Sequence, residues 1–217
     1  MAVRVKQAGR KASSKAWLER QLRDPYVAAA RRDGWRSRAA FKLIELDDRF
    51  HLLQRGHRVV DLGAAPGGWT QVAAARTGAE KGRGIVVGLD LAEIVPIPGA
   101  ILLRGDLREP NSADMVRAAL GGQADLVLSD MAAPATGHAA TDHLRIVALA
   151  EAAFDFAASV LAPGSSFVVK VFQGGAEGVL LAELKRAFTE LRHVKPKASR
   201  AESAETYLLA RGYRGRA

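Results

Sequence analysis

Five short apolar runs recur along the chain: RVVDLG, GIVVGLD, AILLRGD, ADLVLSD and SSFVVKVF. Stretches of helical spacing separate them, namely GGWTQVAAART, NSADMVRAAL, LRIVALAEAAFDFAASVL and EGVLLAELKRAFTEL. Near-continuous apolar strands alternating with helices predict a parallel sheet covered on both faces. Upstream, SRAAFKLIELDDRF predicts a helix with Ser37 as N-cap and an apolar stripe of Phe41, Leu43 and Ile44. Downstream, RHVKPKAS and ETYLLARGY read as strands with no helix between them, so an antiparallel hairpin is expected at one edge. The pattern predicts a doubly wound α/β sheet, mostly parallel, with helices on both faces. Ligands of such sheets lie at the carboxyl ends of the strands.

Length and composition add that the 217 residues form one domain with a short appendage, and that no staple is needed. The absence of cysteine excludes disulfides and thiolate metal sites and suits a reducing cytoplasm. No apolar run approaches a membrane span, and MAVRVKQAGRKASSK lacks the apolar region of a signal peptide. A soluble cytoplasmic monomer is expected.

Charge changes the picture because it is uneven. Of the formal net charge of +9, residues 1–38 carry +8, from eleven Lys or Arg against Glu19, Asp24 and Asp33. Residues 1–36 are therefore read as a basic arm and 37–217 as the folded domain. Trp17, Tyr26 and Trp35 are interleaved with the arginines, a combination suited to phosphate contact and base stacking. The alternative is that these aromatics dock the segment onto the domain.

The chemistry gathers at the strand ends. VVDLGAAPGGWTQ follows the first strand and opens a helix, the context of a nucleotide-binding turn, with glycines at 63, 67 and 68 for close backbone approach. Its spacing is not that of dinucleotide sites, and Pro66 removes a donor where a pyrophosphate needs one. Asp61 ends the first strand, Asp90 the second and Asp106 the third. Carboxylates in that series point to a ligand with ribose hydroxyls, an exocyclic amine and positive charge, and S-adenosylmethionine has all of these. The two last strand ends hold Asp130 and Lys170. Lys170 interrupts FVVKVF, where a buried ammonium costs several kcal/mol unless paired, so a partner at the same sheet edge is expected.

The set SRAAFKL, VDLGAAPGGWTQ, LSDMAAP, FVVKVFQG and SRAESAETYLLA resembles the FtsJ-type ribosomal RNA ribose 2'-O-methyltransferases, in the family's order from about Trp17 onward. The resemblance implies a Rossmann-like methyltransferase domain and a Lys-Asp-Lys-Glu tetrad at Lys42, Asp130, Lys170 and Glu205. It places cofactor contacts at Gly63, Gly67, Trp69, Asp90, Asp106 and Asp130, with S-adenosylmethionine as cofactor and no metal. It implies methylation of a uridine in large-subunit ribosomal RNA, within the ribosomal subunit. After the aspartate the chain reads DMAAPATG where the family form is DMAPNxSG, so an amide that could touch RNA is missing. Glu202 competes with Glu205; Glu205 is chosen because it lies two residues before Tyr207.

On this reading Lys170 accepts or steers the hydroxyl proton, Asp130 orients it, Lys42 tunes it and touches the RNA backbone, and Glu205 completes the ion-pair network. Lysine at its reference pKa of ~10.4 is protonated at neutral pH, and burial and a second cation are the means of lowering it. Transfer RNA remains an alternative substrate, and a non-catalytic RNA-binding module an alternative function. A short-chain dehydrogenase is disfavoured because no tyrosine is followed by lysine four residues later. A metal hydrolase is disfavoured because His138 and His143 lack a third ligand.

Overall fold

The parallel strands alternate with helices, except that the second runs on through a loop to the third, and in the computed structural model they build a seven-stranded sheet. Residues 24–134, 136–173 and 178–215 are described. Helices α1 (Pro25–Asp33) and α2 (Ala39–Phe50) precede β1 (Arg58–Leu62), α3 (Gly68–Thr77), β2 (Ile85–Asp90) and β3 (Ala100–Arg104). Then follow α4 (Ser112–Leu120), β4 (Ala124–Ser129), α5 (Ala139–Val160), β5 (Leu161–Phe172), α6 (Gly178–Ala187), β6 (Phe188–Val194) and β7 (Glu205–Tyr213). The spatial order is β3-β2-β1-β4-β5-β7-β6. Neighbours among β1–β5 pair in parallel, whereas β7 runs antiparallel to both β5 and β6.

The C-terminal strands therefore differ from a simple edge hairpin. β7 inserts between β5 and β6, so it is interior and β6 forms the edge. The segment FTEL, expected to end a helix, instead starts β6, because Phe188 packs among Phe154, Phe167 and Tyr213. Of RHVKPKAS only the first three residues are strand.

The α2 expectations also need correction. Arg38, in helical conformation, occupies the N-cap position, and no side chain caps the helix. The Ser37 hydroxyl is buried without a partner and lies against Gly68, where a β-carbon would collide with it. The buried face is Ala40, Leu43, Leu46, Asp47 and Phe50, with Lys42; Phe41 and Ile44 are only half-buried. Phe41 turns toward α1 instead of the core, and its ring meets Tyr26 in a tilted contact at 5.5 Å between ring centres.

Residues 24–36 thus belong to the folded body. Asp24 caps α1 and also pairs with Arg38 at 2.9 Å and Arg200 at 3.2 Å. Arg36 donates to the carbonyls of Pro66, Val95 and Pro96. Tyr26 and Trp35, read above as possible base-stacking groups, dock this segment against α2 and its core. Trp17 and the rest of residues 1–23 lie outside the described residues.

Strand alternation sorts the core into two layers. Val60, Leu62, Val127, Phe167, Val169 and Leu208 face α4, α5 and α6. Val59, Leu126, Leu128, Val168, Tyr207 and Leu209 face α2 and α3. The parity decides where the charged groups go. Among the described residues no helix is long and apolar enough to cross a membrane.

Candidate active site

Counting in steps of two from the α2/α3 face, Leu128 leads to Asp130, Val168 to Lys170, and Leu209 through Tyr207 to Glu205. All of these positions fall on one side of the sheet at the carboxyl ends of the parallel strands. Lys42 projects toward them from α2, although it lies one residue away from the predicted stripe. Lys42 and Lys170 are both 6% exposed, so each ammonium needs partners.

The partners are present. Lys170 Nζ donates to the Asp130 carbonyl at 2.7 Å and to Asp130 Oδ1 at 3.1 Å. Lys42 Nζ lies 2.7 Å from Glu205 Oε1 and 3.6 Å from Asp130 Oδ1. Tyr207 joins the two acids: its hydroxyl donates to Asp130 Oδ1 at 2.7 Å and also lies 3.2 Å from Glu205 Oε1. Ser199 donates to Glu205 Oε1 at 2.8 Å. Glu202 is exposed and makes no bond to the cluster.

Electrostatics keeps the central acid charged. Burial pushes Asp130 toward its neutral form, but the Lys170 and Lys42 ammonium groups and the Tyr207 and Lys170 hydrogen bonds together hold it below the usual carboxylate range. Burial, reinforced by the two carboxylates, pushes Tyr207 well above the ordinary phenol value, so it remains a donor. Tyr207 and Ser199 were missed as functional groups. Tyr207 was legible only as a landmark, because nothing along the chain reveals that antiparallel pairing sets it opposite Lys170.

A cavity of about 390 Å³ opens beside this cluster, lined by Gly63, Asp90, Asp106, Asp130, Met131 and Leu149 among others. Asp90 accepts Ala65 N–H at 2.9 Å and Ala92 N–H at 2.8 Å, one on each oxygen. A carboxylate has about four acceptor positions, so Asp90 retains capacity for hydroxyl donors. Asp106 is held by Arg108, whose hydrogen bonds keep its carboxyl below the usual range. Gly63, at φ 72°, passes under Met131, and a β-carbon there would collide with Met131 Cγ.

Three residues of the turn take other places than a pocket wall. Asp61, expected to face a cationic ligand, is buried and accepts the Thr70 hydroxyl at 2.6 Å. Burial raises its pKa to about 7, against the opposing Thr70 hydrogen bond and with help from Asp130 and Asp90. The Trp69 indole is buried, donates to Ala39 O at 2.8 Å and packs on Tyr207 at 5.6 Å. Gly67, at φ 111°, is the N-cap of α3 and packs against Ile97 and Arg36. Backbone at the start of α3 is what Gly67 and Trp69 can offer a ligand.

The FtsJ-like methyltransferase family model matches residues 35–213. The chain belongs to the FtsJ-like methyltransferase family. Ribosomal RNA large subunit methyltransferase E of Xanthobacter autotrophicus is 62% identical, over 100% of this chain and 86% of that protein. The protein of the same name from Azorhizobium caulinodans is 59% identical, over 100% of this chain and 91% of its own length. A solved structure from Plasmodium falciparum, named for a ribosomal RNA methyltransferase, superposes with a TM-score of 0.74 at 30% identity. It covers 84% of this chain and 100% of its own. The chain is a methyltransferase, and its fold is shared with the Plasmodium falciparum structure.

Proposed function

We propose that this methyltransferase moves a methyl group from S-adenosylmethionine to a ribose 2'-hydroxyl of ribosomal RNA, and that its target is a uridine in the large subunit. The observation that carries the reading is the contact of Lys170 Nζ with Asp130, which lines the cavity. The names of the full-length relatives support the large-subunit substrate.

The cavity suits the cofactor by its donor and acceptor set. Asp90 has free acceptor positions for a ribose diol, and Leu89, Leu107 and Leu149 offer apolar surface to a purine ring. Asp106 also lines the cavity, but Arg108 already bonds both its oxygens, so an exocyclic amine would have to compete with that contact. S-adenosylmethionine supplies an electrophilic methyl on a cationic sulfur, which departs as a neutral thioether.

The chain's own groups prepare the nucleophile. Two Nζ–H bonds to Asp130 fix the Lys170 ammonium, and once its third proton has left to solvent the remaining tetrahedral position is a lone pair. That lone pair accepts the 2'-hydroxyl proton as the ribose oxygen bonds to the methyl carbon. Asp130 orients the amine, Lys42 balances the Asp130 charge, and Glu205 with Ser199 and Tyr207 holds Lys42 in place. The basic N-terminal segment contacts RNA in this reading. Because residues 24–36 are packed, deleting residues 1–23 isolates that role, and RNA binding should weaken more than cofactor binding.

The test offers radiolabelled cofactor to large ribosomal subunits, free ribosomal RNA and transfer RNA, and maps the labelled nucleotide. A 2'-O-methyluridine in the large-subunit RNA is expected. Label on transfer RNA alone would reassign the substrate, and cofactor binding with no transfer to any RNA would leave a binding module.

A further inference from the structure

At the opposite end of the sheet from Lys170, three arginines converge on one ring. The guanidinium carbons of Arg49, Arg211 and Arg192 lie 4.9, 5.9 and 6.0 Å from the centre of the Phe50 ring. Like charges at this spacing repel. Among the described residues Glu190 is the one acid paired with any of them, through Arg192. Arg211 donates to the Phe50 carbonyl, while Arg49 and Arg192 are exposed.

Arg211 and the Phe50 ring that Arg49 and Arg192 share line a cavity of about 540 Å³, together with His51, His57, Ser165 and Ser166 among others. Its walls are rich in donors. The one carboxylate there, Asp125, has an oxygen already taken by the Arg58 N–H at 2.7 Å. Such a surface takes an anion. It does not suit the chain's own N-terminus, because residues 1–23 are themselves basic, with seven Lys or Arg against Glu19.

The patch is connected to the active site by two elements. Helix α2 carries Lys42 at one end and Phe50 at the other, about 12 Å apart at 1.5 Å per residue. Strand β6 leads from Arg192 to the exposed Lys195 and Lys197, a reach of at most about 18 Å. The following loop carries Arg200, which is already paired with Asp24, next to Ser199, which bonds to Glu205. Among the described residues, the cations of this path not paired with an acid are therefore Lys195 and Lys197. A line of cations from the catalytic cluster to a distant pocket fits an extended polyanion better than a small one. Along one strand of a nucleic acid duplex, at about 3.4 Å per phosphate, 12 Å corresponds to three or four nucleotides.

We propose that the Arg49–Arg192–Arg211 patch and its pocket form a second RNA-backbone site, which holds phosphates a few nucleotides from the methylated ribose. The proposal rests on the RNA methyltransferase reading but concerns surface outside the methyl-transfer machinery.

The test compares wild-type protein with Arg49→Ala/Arg192→Ala, using fluorescence anisotropy with a single-stranded RNA across a salt series, and methyl transfer to the large subunit. RNA affinity should fall about tenfold, and the slope of log affinity against log salt should flatten by about 0.7 for each lost phosphate contact. KM should rise while kcat at saturating RNA stays the same. Arg49→Gln, which replaces an exposed side chain, gives the same readout if the double variant does not fold. Unchanged affinity and slope in a folded variant overturn the proposal. So does competition by inorganic phosphate in the wild type with no effect of the substitutions on RNA binding, which marks a small-anion pocket. If wild-type protein binds RNA but methylates none, the functional reading fails while the binding comparison still decides the patch.

Discussion

Tyr207 stands directly opposite Lys170 in the β5–β7 register, and its hydroxyl donates to Asp130 Oδ1, the oxygen that Lys170 Nζ also contacts. One carboxylate oxygen is thus shared by a phenol at 2.7 Å and an amine at 3.1 Å, with Lys42 at 3.6 Å. Asp130 is positioned from three elements at once, and Tyr207 is a positioning residue for the pair.

Tyr207→Phe removes the hydroxyl that bridges Asp130 and Glu205. Hydrogen bonds to charged groups contribute ~1.5–3 kcal/mol, so a stability loss in that range is expected by denaturant titration. The substitution also removes a bond that lowers the Asp130 pKa. Any acid limb of the pH–rate profile that reports this carboxylate should therefore move to higher pH, a shift that a purely structural defect would not produce.

Lys42 and Glu205 should behave as a unit. Their side chains are 8% and 14% exposed, and removing one partner strands a poorly solvated charge, at a cost of roughly 3–5 kcal/mol. Lys42→Met and Glu205→Gln should each destabilise, and the double variant should be less damaged than the sum of the two. Additive losses in thermal or chemical unfolding would show that the contact carries no coupling.

Asp61 links stability to pH. Its pKa of about 7 in the fold exceeds the ordinary 3.8, so the contribution is fully present below about pH 4 and is lost as pH rises through 7. The loss is at most about 4 kcal/mol by the linkage relation. Asp61→Asn retains an acceptor for Thr70 and should flatten stability between pH 4 and 7, whatever its constant offset. An unaltered slope in urea titrations across that window would contradict the assignment.

Gly63→Ala meets two obstacles, a positive φ and the Met131 side chain. Cofactor affinity measured by calorimetry should fall at least tenfold. Met131→Ala in the same chain should restore part of it, because it removes the collision but not the backbone strain.

Much of this was legible along the chain. The alternation of apolar runs and helices specified a parallel sheet, and the lysine in FVVKVF announced a paired charge. The internal place of β7 was not legible, because a hairpin's order in a sheet depends on which strand its core-facing residues meet. Ser37 resembled an N-cap because its residue type suits one, yet contact with Gly68 directs its hydroxyl elsewhere. Lys42 lay beside the apolar stripe and was readable as a functional group only through resemblance. The roles of Tyr207, legible only as a landmark, and of Arg36, legible only as part of a basic segment, rest on long-range contacts that no local pattern encodes.

The central claim is that the Lys170 amine takes the ribose proton, and single-turnover methyl transfer by Lys170→Arg and Lys170→Ala tests it most directly. Cofactor and RNA affinities, measured separately, should stay near wild type. The transfer step should slow by about 10²–10⁴-fold in both variants, since a guanidinium keeps the charge and the hydrogen bonds but cannot accept a proton. Transfer by Lys170→Arg at close to the wild-type rate would contradict the account and leave Lys170 the lesser task of positioning the hydroxyl.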